Sequence, residues 1–258
     1  MARVVVDHRG SAVEATHWRT LMVFAHTFSG SSRIVRRALA GELDPAKVDA
    51  VVARWVAHTF RLARATVLVD GEHHVVAGQP YVLMSNHRSL LDIPAVIAAF
   101  PGRLRFVAKQ ELRRVPMFGR AMDAAGVVFV DRADRARAIG QLERARGLLE
   151  AGTSVWVAAE GTRSRDGSLG SLKKGGFHVA RALGVPILPT WIDGSHRVIE
   201  PGHLTSTTGQ TVTVTFGPPI PTRAGDGRGG EVPVDLLVAA TRAALLGLAP
   251  PVPEPSTR

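Results

Sequence analysis

Pro80-Tyr81-Val82-Leu83-Met84-Ser85-Asn86-His87-Arg88-Ser89-Leu90-Leu91-Asp92 is the stretch around which the chain falls into order. Its first half is a short apolar run, which reads as a buried strand. After Asp92, Ile93 to Phe100 is again apolar and reads as a helix. His87 therefore sits where a strand ends and a helix begins, the edge at which open α/β sheets bind ligands.

The spacing His87-x-x-x-x-Asp92 has a chemical reading. A neutral imidazole can accept a proton from an alcohol. A carboxylate on its other ring nitrogen fixes the tautomer and steadies the imidazolium that forms. No serine or cysteine is needed if the nucleophile is the substrate's own hydroxyl. A plainer reading stays open on these residues alone: Ser89 and Asp92 have capping-box spacing, with Asp92 supporting the helix start and His87 an ordinary loop residue.

Composition narrows the field. The chain has 258 residues, 45% of them hydrophobic, enough for one large domain or two small ones. It has no cysteine, which excludes disulfides, zinc–thiolate sites and a cysteine nucleophile. Net charge is +10, nearly all from arginine; Lys47, Lys109, Lys173 and Lys174 are the lysines. That balance favours polyanionic partners: nucleic acid, an anionic membrane or a phosphorylated substrate. Arginine in particular suits bidentate phosphate binding. A genome biased in base composition would enrich arginine and alanine with no partner at all. The start, Met1 to His8, lacks the apolar core of a secretory signal. No window approaches the ~18–20 apolar residues of a spanning helix, so the protein is expected to be soluble or to lie on a membrane surface.

Residues 14–40 read as a helix carrying Trp18, Leu21, Met22, Phe24 and Phe28, with Gly30-Ser31-Ser32 a candidate break. Gly41 to Pro45 is a turn, Asp44 a candidate N-cap and Pro45 the first position of a second helix over 45–64. This aromatic-bearing, basic pair is expected to lie in a membrane interface, though packing on a sheet would serve equally as its purpose. Thr66 to Val69 reads as a strand, Asp70-Gly71 as a hairpin turn and His73 to Val76 as its return. Strands follow at Leu104–Ala108, Val127–Val130 and Ser154–Ala158, separated by helical pieces over 111–124 and 134–150. Residues 172–183 become helical. Val185 to Trp191 reads as a strand whose prolines suggest an edge or a strand start. Thr211 to Phe216 alternates as a last strand, Val232 to Leu248 is a closing helix, and the Pro-rich end reads as disordered. The fold class expected is α/β: a single domain with a mixed, largely parallel central sheet flanked by helices, preceded by an N-terminal two-helix appendage.

Further groups fall at strand ends. Gly126-Val127-Val128-Phe129-Val130-Asp131-Arg132 closes one strand, and Glu160-Gly161-Thr162-Arg163 follows another. Parallel strands would bring Arg132 and Arg163 to the His87 edge as a phosphate fork. Gly161 would offer an exposed N–H to a ligand oxygen or oxyanion, and Thr162 a hydroxyl. Lys109 and Lys173 stand at element boundaries that could face the same edge.

Together these residues resemble the glycerolipid acyltransferase family, which includes the 1-acyl-sn-glycerol-3-phosphate acyltransferases. Asn86-His87 to Asp92 is similar to that family's first motif, Gly126 to Arg132 to its second, Glu160 to Arg163 to its third, and Val185-Pro186-Ile187 with Pro189 to its fourth. The resemblance covers roughly residues 65–220. It implies a fatty acyl group moving from acyl-CoA or acyl-carrier protein to the hydroxyl of lysophosphatidic acid, with no metal and no cofactor beyond that co-substrate. His87 would be the general base and Asp92 its partner. Arg132 and Arg163 would hold the acceptor phosphate, with Glu160, Gly161, Thr162, Lys109 and Lys173 around the substrate. Two departures bear on the acceptor: Ala158-Ala159 replace the Phe-Pro most members carry before the Glu-Gly-Thr-Arg run, and Thr190 ends the fourth motif.

The resulting expectation is a membrane-interface segment over 1–64, an acyltransferase domain over 65–249 and a tail over 250–258. The protein would sit peripherally on the cytoplasmic face of a membrane, with an anionic lipid surface as partner and no nucleic acid. One rival keeps the chemistry and changes the acceptor to another lysophospholipid, a glycolipid or an amino-lipid. The other is an inactive basic module binding membrane or nucleic acid, against which stand 5% aromatic content and no RNA-stacking motif.

Overall fold

The computed structural model describes residues 2–42, 44–130, 135–164, 166–200, 203, 205–225 and 229–251. In chain order the elements are β1 (Arg3–Val6), β2 (Ala15–Thr16), α1 (His17–Leu39), α2 (Pro45–Ala63), β3 (Thr66–Asp70), β4 (Val82–Ser85), α3 (Asp92–Ala99), β5 (Leu104–Lys109), α4 (Phe118–Ala124) and β6 (Val128–Val130). There follow α5 (Arg135–Glu150), β7 (Ser154–Ala158), α6 (Gly175–Leu183), β8 (Ile187–Asp193), α7 (Ser195–Val198), β9 (Ser206–Thr207), β10 (Thr211–Phe216) and α8 (Val234–Leu248).

Eight strands form one sheet in the order β1-β3-β10-β8-β4-β7-β5-β6. β8, β4, β7, β5 and β6 are mutually parallel. β10 runs parallel to β3 and antiparallel to β8, and β1 is antiparallel to β3. The sheet is therefore mixed and mostly parallel, as the alternation of strands and helices implies.

Both faces are covered, which explains why β4 is buried at every position and apolar over Val82–Met84. On one side Phe60 of α2 and Ala95, Val96 and Ala99 of α3 pack on Tyr81, Leu83, Val214 and Phe216. On the other, Leu149 of α5, Phe177 of α6 and Leu237 and Leu245 of α8 pack on Val82, Met84, Val155 and Ile187. The first residues are tied into the same sheet: β1 extends it beyond β3, and α1 packs on α2 and α4.

Several local expectations are corrected. α1 runs unbroken through Gly30; the Ser31 and Ser32 hydroxyls donate to the Thr27 and Ser29 carbonyls within the helix and so stay satisfied without a break. No hairpin follows β3. Gly71 adopts φ +70°, a Cβ there would run into the Phe216 carbonyl, and Glu72–His74 form a 3-10 turn. The strand's partners come instead from β1 and β10. β8 is interior, between β10 and β4. Pro189 is tolerated there because it lies where β10 is ending: its carbonyl accepts from Gly217 N–H (2.8 Å), and only the reciprocal bond of that last pair is lost. Asp44 caps α2 as read, accepting from Lys47 N–H at 2.8 Å with Pro45 in the first turn.

Candidate active site

β4 and β7 are adjacent and parallel, so the segments leaving their carboxyl ends meet. The first, residues 86–91, wraps around one buried oxygen. Asp92 Oδ2 accepts from Arg88 N–H (2.7 Å) and Ser89 N–H (2.9 Å), and lies 2.7 Å from His87 Nδ1. The same atom serves both the imidazole and the turn that leads into the helix. It holds the Ser89 N–H as a capping box would, although α3 takes Leu91 as its N-cap, and it partners the imidazole. With Nδ1 committed, Nε2 is the nitrogen left for a substrate, and the His87 side chain keeps 15% exposure.

Neighbouring side chains hold this arrangement still. The Trp156 ring meets His87 edge to face, with centroids 5.8 Å apart, and its Nε1–H donates to Ser85 Oγ (2.9 Å). Asn86 brackets Ile192 of β8, donating from Nδ2 to its carbonyl and accepting its N–H at Oδ1, both at 2.8 Å. Ser89 Oγ donates to Ile199 O (2.9 Å).

The second segment, residues 159–170, closes on the first. Ser164 N–H donates to His87 O (2.8 Å). Glu160 is buried, and its two oxygens accept from His87 N–H (3.2 Å) and Gly170 N–H (2.9 Å). It shapes the site through backbone rather than by facing solvent. Arg242 of α8 donates to the Gly170 and Leu169 carbonyls at 2.6 and 2.9 Å, bracing the same loop. The expected free N–H at Gly161 is corrected. That group is buried in a turn and donates to Ala158 O (2.9 Å), at φ +75°.

His87, Asp92, Glu160, Thr162 and Arg163 thus gather on two bonded segments. Thr162 and Arg163 are exposed, and neither side chain makes a hydrogen bond among the described residues. Lys109 ends β5 at the same sheet edge with its side chain exposed. Lys173 is anchored by its N–H to Ala159 O (2.8 Å) and is also exposed. Arg132 lies outside the described residues. Beyond β8, burial, then the charges of Arg88 and Arg197, hold the His196 imidazole below its ordinary range, against Asp193 and Asp92. Among the described residues no group of three or more His, Asp or Glu converges as a metal site.

The Trp156, Asn86 and Arg242 contacts escaped the reading of the sequence. Arg242 left one signal: apart from Asp235 it is the lone charge in an otherwise apolar helix. Nothing in the local pattern of Trp156 or Asn86 reveals a partner so far along the chain.

Comparison with known proteins gives concordant findings. Residues 66–193 match the family model described as Acyltransferase. The chain is 38% identical over 186 residues to human 1-acyl-sn-glycerol-3-phosphate acyltransferase alpha, covering 72% of this chain and 63% of that protein. It is 34% identical over 155 residues to the Saccharomyces cerevisiae 1-acyl-sn-glycerol-3-phosphate acyltransferase, covering 58% and 51%. The chain therefore spans about half to three-fifths of the length of these curated relatives. Its fold is similar to the crystal structure of the Thermotoga maritima 1-acyl-sn-glycerophosphate (LPA) acyltransferase, PlsC, with a TM-score of 0.67 and 26% identity over 89% of this chain and 95% of that one.

Proposed function

We propose, from the premise that residues 66–193 of this chain form a domain of the acyltransferase family, that it transfers a fatty acyl group from a thioester to the free hydroxyl of lysophosphatidic acid, giving phosphatidic acid. The observation that carries the reading is the 2.7 Å pairing of His87 Nδ1 with Asp92 on a loop bonded to the one bearing Arg163. The names of the relatives support the choice of acceptor.

On this reading His87 Nε2 takes the acceptor's hydroxyl proton as the oxygen attacks the thioester carbonyl. Asp92 steadies the imidazolium. The tetrahedral intermediate collapses, the C–S bond breaks, and the imidazolium returns the proton to the leaving thiolate. Arg163 binds the acceptor phosphate, joined by Arg132 as the resemblance implies, while Thr162, Lys109 and Lys173 line the approach. Acyl-CoA or acyl-carrier protein supplies the acyl group, and the chain needs no other cofactor. Thin-layer detection of labelled phosphatidic acid from lysophosphatidic acid and acyl-CoA tests the reaction. His87→Ala should keep the wild-type melting temperature and lose about 10²–10⁴-fold in turnover. Wild-type turnover in that variant would sink the assignment.

The membrane part of the reading rests on α1. Its outer face exposes Trp18, Leu21, Met22, Phe24 and Phe28, with Leu21 at 68% and Phe28 at 56%. No helix of the described residues is long and apolar enough to cross a membrane. Such a face is suited to lie in the headgroup region, peripherally on the cytoplasmic side, where both acyl-bearing substrates would be met.

A further inference from the structure

We propose that Arg88 is a specificity-determining contact for the acceptor's phosphate, working beside Arg163; this deepens the acyltransferase reading and rests on it. The family resemblance gives this residue no part, and it does its work, on this view, from the catalytic segment itself.

Four observations converge on it. First, the Ser164 N–H to His87 O bond joins two peptide units, 163–164 and 87–88. Arg163 and Arg88 are the outer members of those units, so the two arginine stems leave directly bonded stretches of backbone next to the catalytic imidazole. Second, the Arg88 guanidinium has no hydrogen bond or ion pair among the described residues, although the side chain is half-buried. Arg105, another arginine of low exposure, is matched: it pairs with Asp49 at 2.7 Å. A partly buried cation without a partner is costly and calls for an explanation.

Third, the carboxylates of the two segments are engaged elsewhere. Asp92 and Glu160 accept backbone N–H groups, and Asp166 accepts from Ser164 and Ser168. None of these carboxylates pairs with the Arg88 guanidinium, whose charge, after burial, disfavours a charged His196 across the loop. Fourth, the backbone is shaped around the guanidinium. Gly167 turns beneath it at φ +83°, and a Cβ there would stand 2.8 Å from Arg88 Nη2. The backbone N–H of Arg88 is itself held at 2.7 Å by Asp92, which fixes where the side chain starts. A planar fork so placed fits the two oxygens of a phosphomonoester, and a neutral glyceride gives it nothing to bind.

The test uses the full chain with two readouts. Glycerol 3-phosphate is titrated calorimetrically into wild type, R88Q and R88K. The ratio of kcat/KM for lysophosphatidic acid to that for monoacylglycerol is then measured in each. R88Q should weaken glycerol 3-phosphate binding by roughly 10- to 100-fold and lower the ratio by a similar factor, the size expected for lost charge-assisted hydrogen bonds. R88K, which keeps a charge but not the fork, should fall between and serves as the check that folding is intact. A purely structural Arg88 would lower both substrates alike and leave the ratio at its wild-type value. That result, or unchanged glycerol 3-phosphate affinity in R88Q, or no binding to wild type, overturns the proposal. Wild type that binds glycerol 3-phosphate through Arg88 yet acylates no lysophosphatidic acid would instead overturn the function proposed above and keep the anion seat.

Discussion

A single oxygen, Asp92 Oδ2, receives two backbone N–H groups and faces the His87 ring. Its geometric and electrostatic duties can be separated by Asp92→Asn. The amide oxygen can still accept the backbone bonds, so the loop should stay folded. Without the negative charge the imidazolium loses its support, and if the amide NH2 turns toward His87 the wrong tautomer is held. Turnover should fall about 100-fold or more while the melting temperature moves little, as calorimetry and initial rates would show. This pair was legible in the sequence because it is local: His87 and Asp92 lie within one strand-to-helix turn, and their spacing carries the meaning. Gly161 was misread for the opposite reason. Whether its N–H points outward depends on a turn closing onto Ala158, which the letters Glu-Gly-Thr-Arg leave open. The role of Glu160 was hidden likewise, since it is set by the Gly170 amide ten residues on and by the His87 amide on the loop after β4.

At the scale of elements, the α1–α2 pair is joined by polar as well as apolar contacts. Trp55 Nε1–H donates to Thr27 Oγ1 (3.0 Å), and the His26 and His58 rings lie 4.1 Å apart. Burial, then the charges of His58 and Arg33, hold His26 below its ordinary value. The unfolded chain therefore binds a proton that the folded chain resists once the pH drops below about 6.5. The stability in question is fully present above that pH and is lost as the pH falls toward the folded value. The melting temperature should thus decline between about pH 7 and 5, and His26→Gln should show a shallower decline. A parallel slope in the two proteins would refute the coupling. His74 and His196, also depressed by burial, keep the slope from vanishing in the variant. Most element boundaries were readable because apolar runs and glycines mark them. The fate of the chain after β3 and the interior place of β8 were not, because strand partners distant in sequence decide both; of the two readings of the β8 prolines, a strand start holds for Pro186 and an edge for neither.

For the whole molecule, the exposed face of α1 and the sheet edge carrying His87 are parts of one body, linked by α1 packing on α2 and by β2 pairing with β9. If α1 rests on lipid, Leu21→Glu should abolish flotation with anionic vesicles at an unchanged melting temperature, because Leu21 is largely free of protein contacts. Undiminished flotation would remove α1 from the membrane reading. The fold class could be inferred from alternating strands and helices alone, whereas the strand order could not. β10 slots between β3 and β8, segments far removed from each other in sequence. During synthesis this has a price. Until Thr211–Phe216 clears the ribosome, β3 presents a row of unpaired backbone N–H and C=O groups along one side, open to a second nascent copy or to a holdase chaperone. The β3 edge stays open until that late strand is made, and the long-range pairing that closes it is slow, so yield in the cell becomes a matter of chaperone supply as much as of native stability.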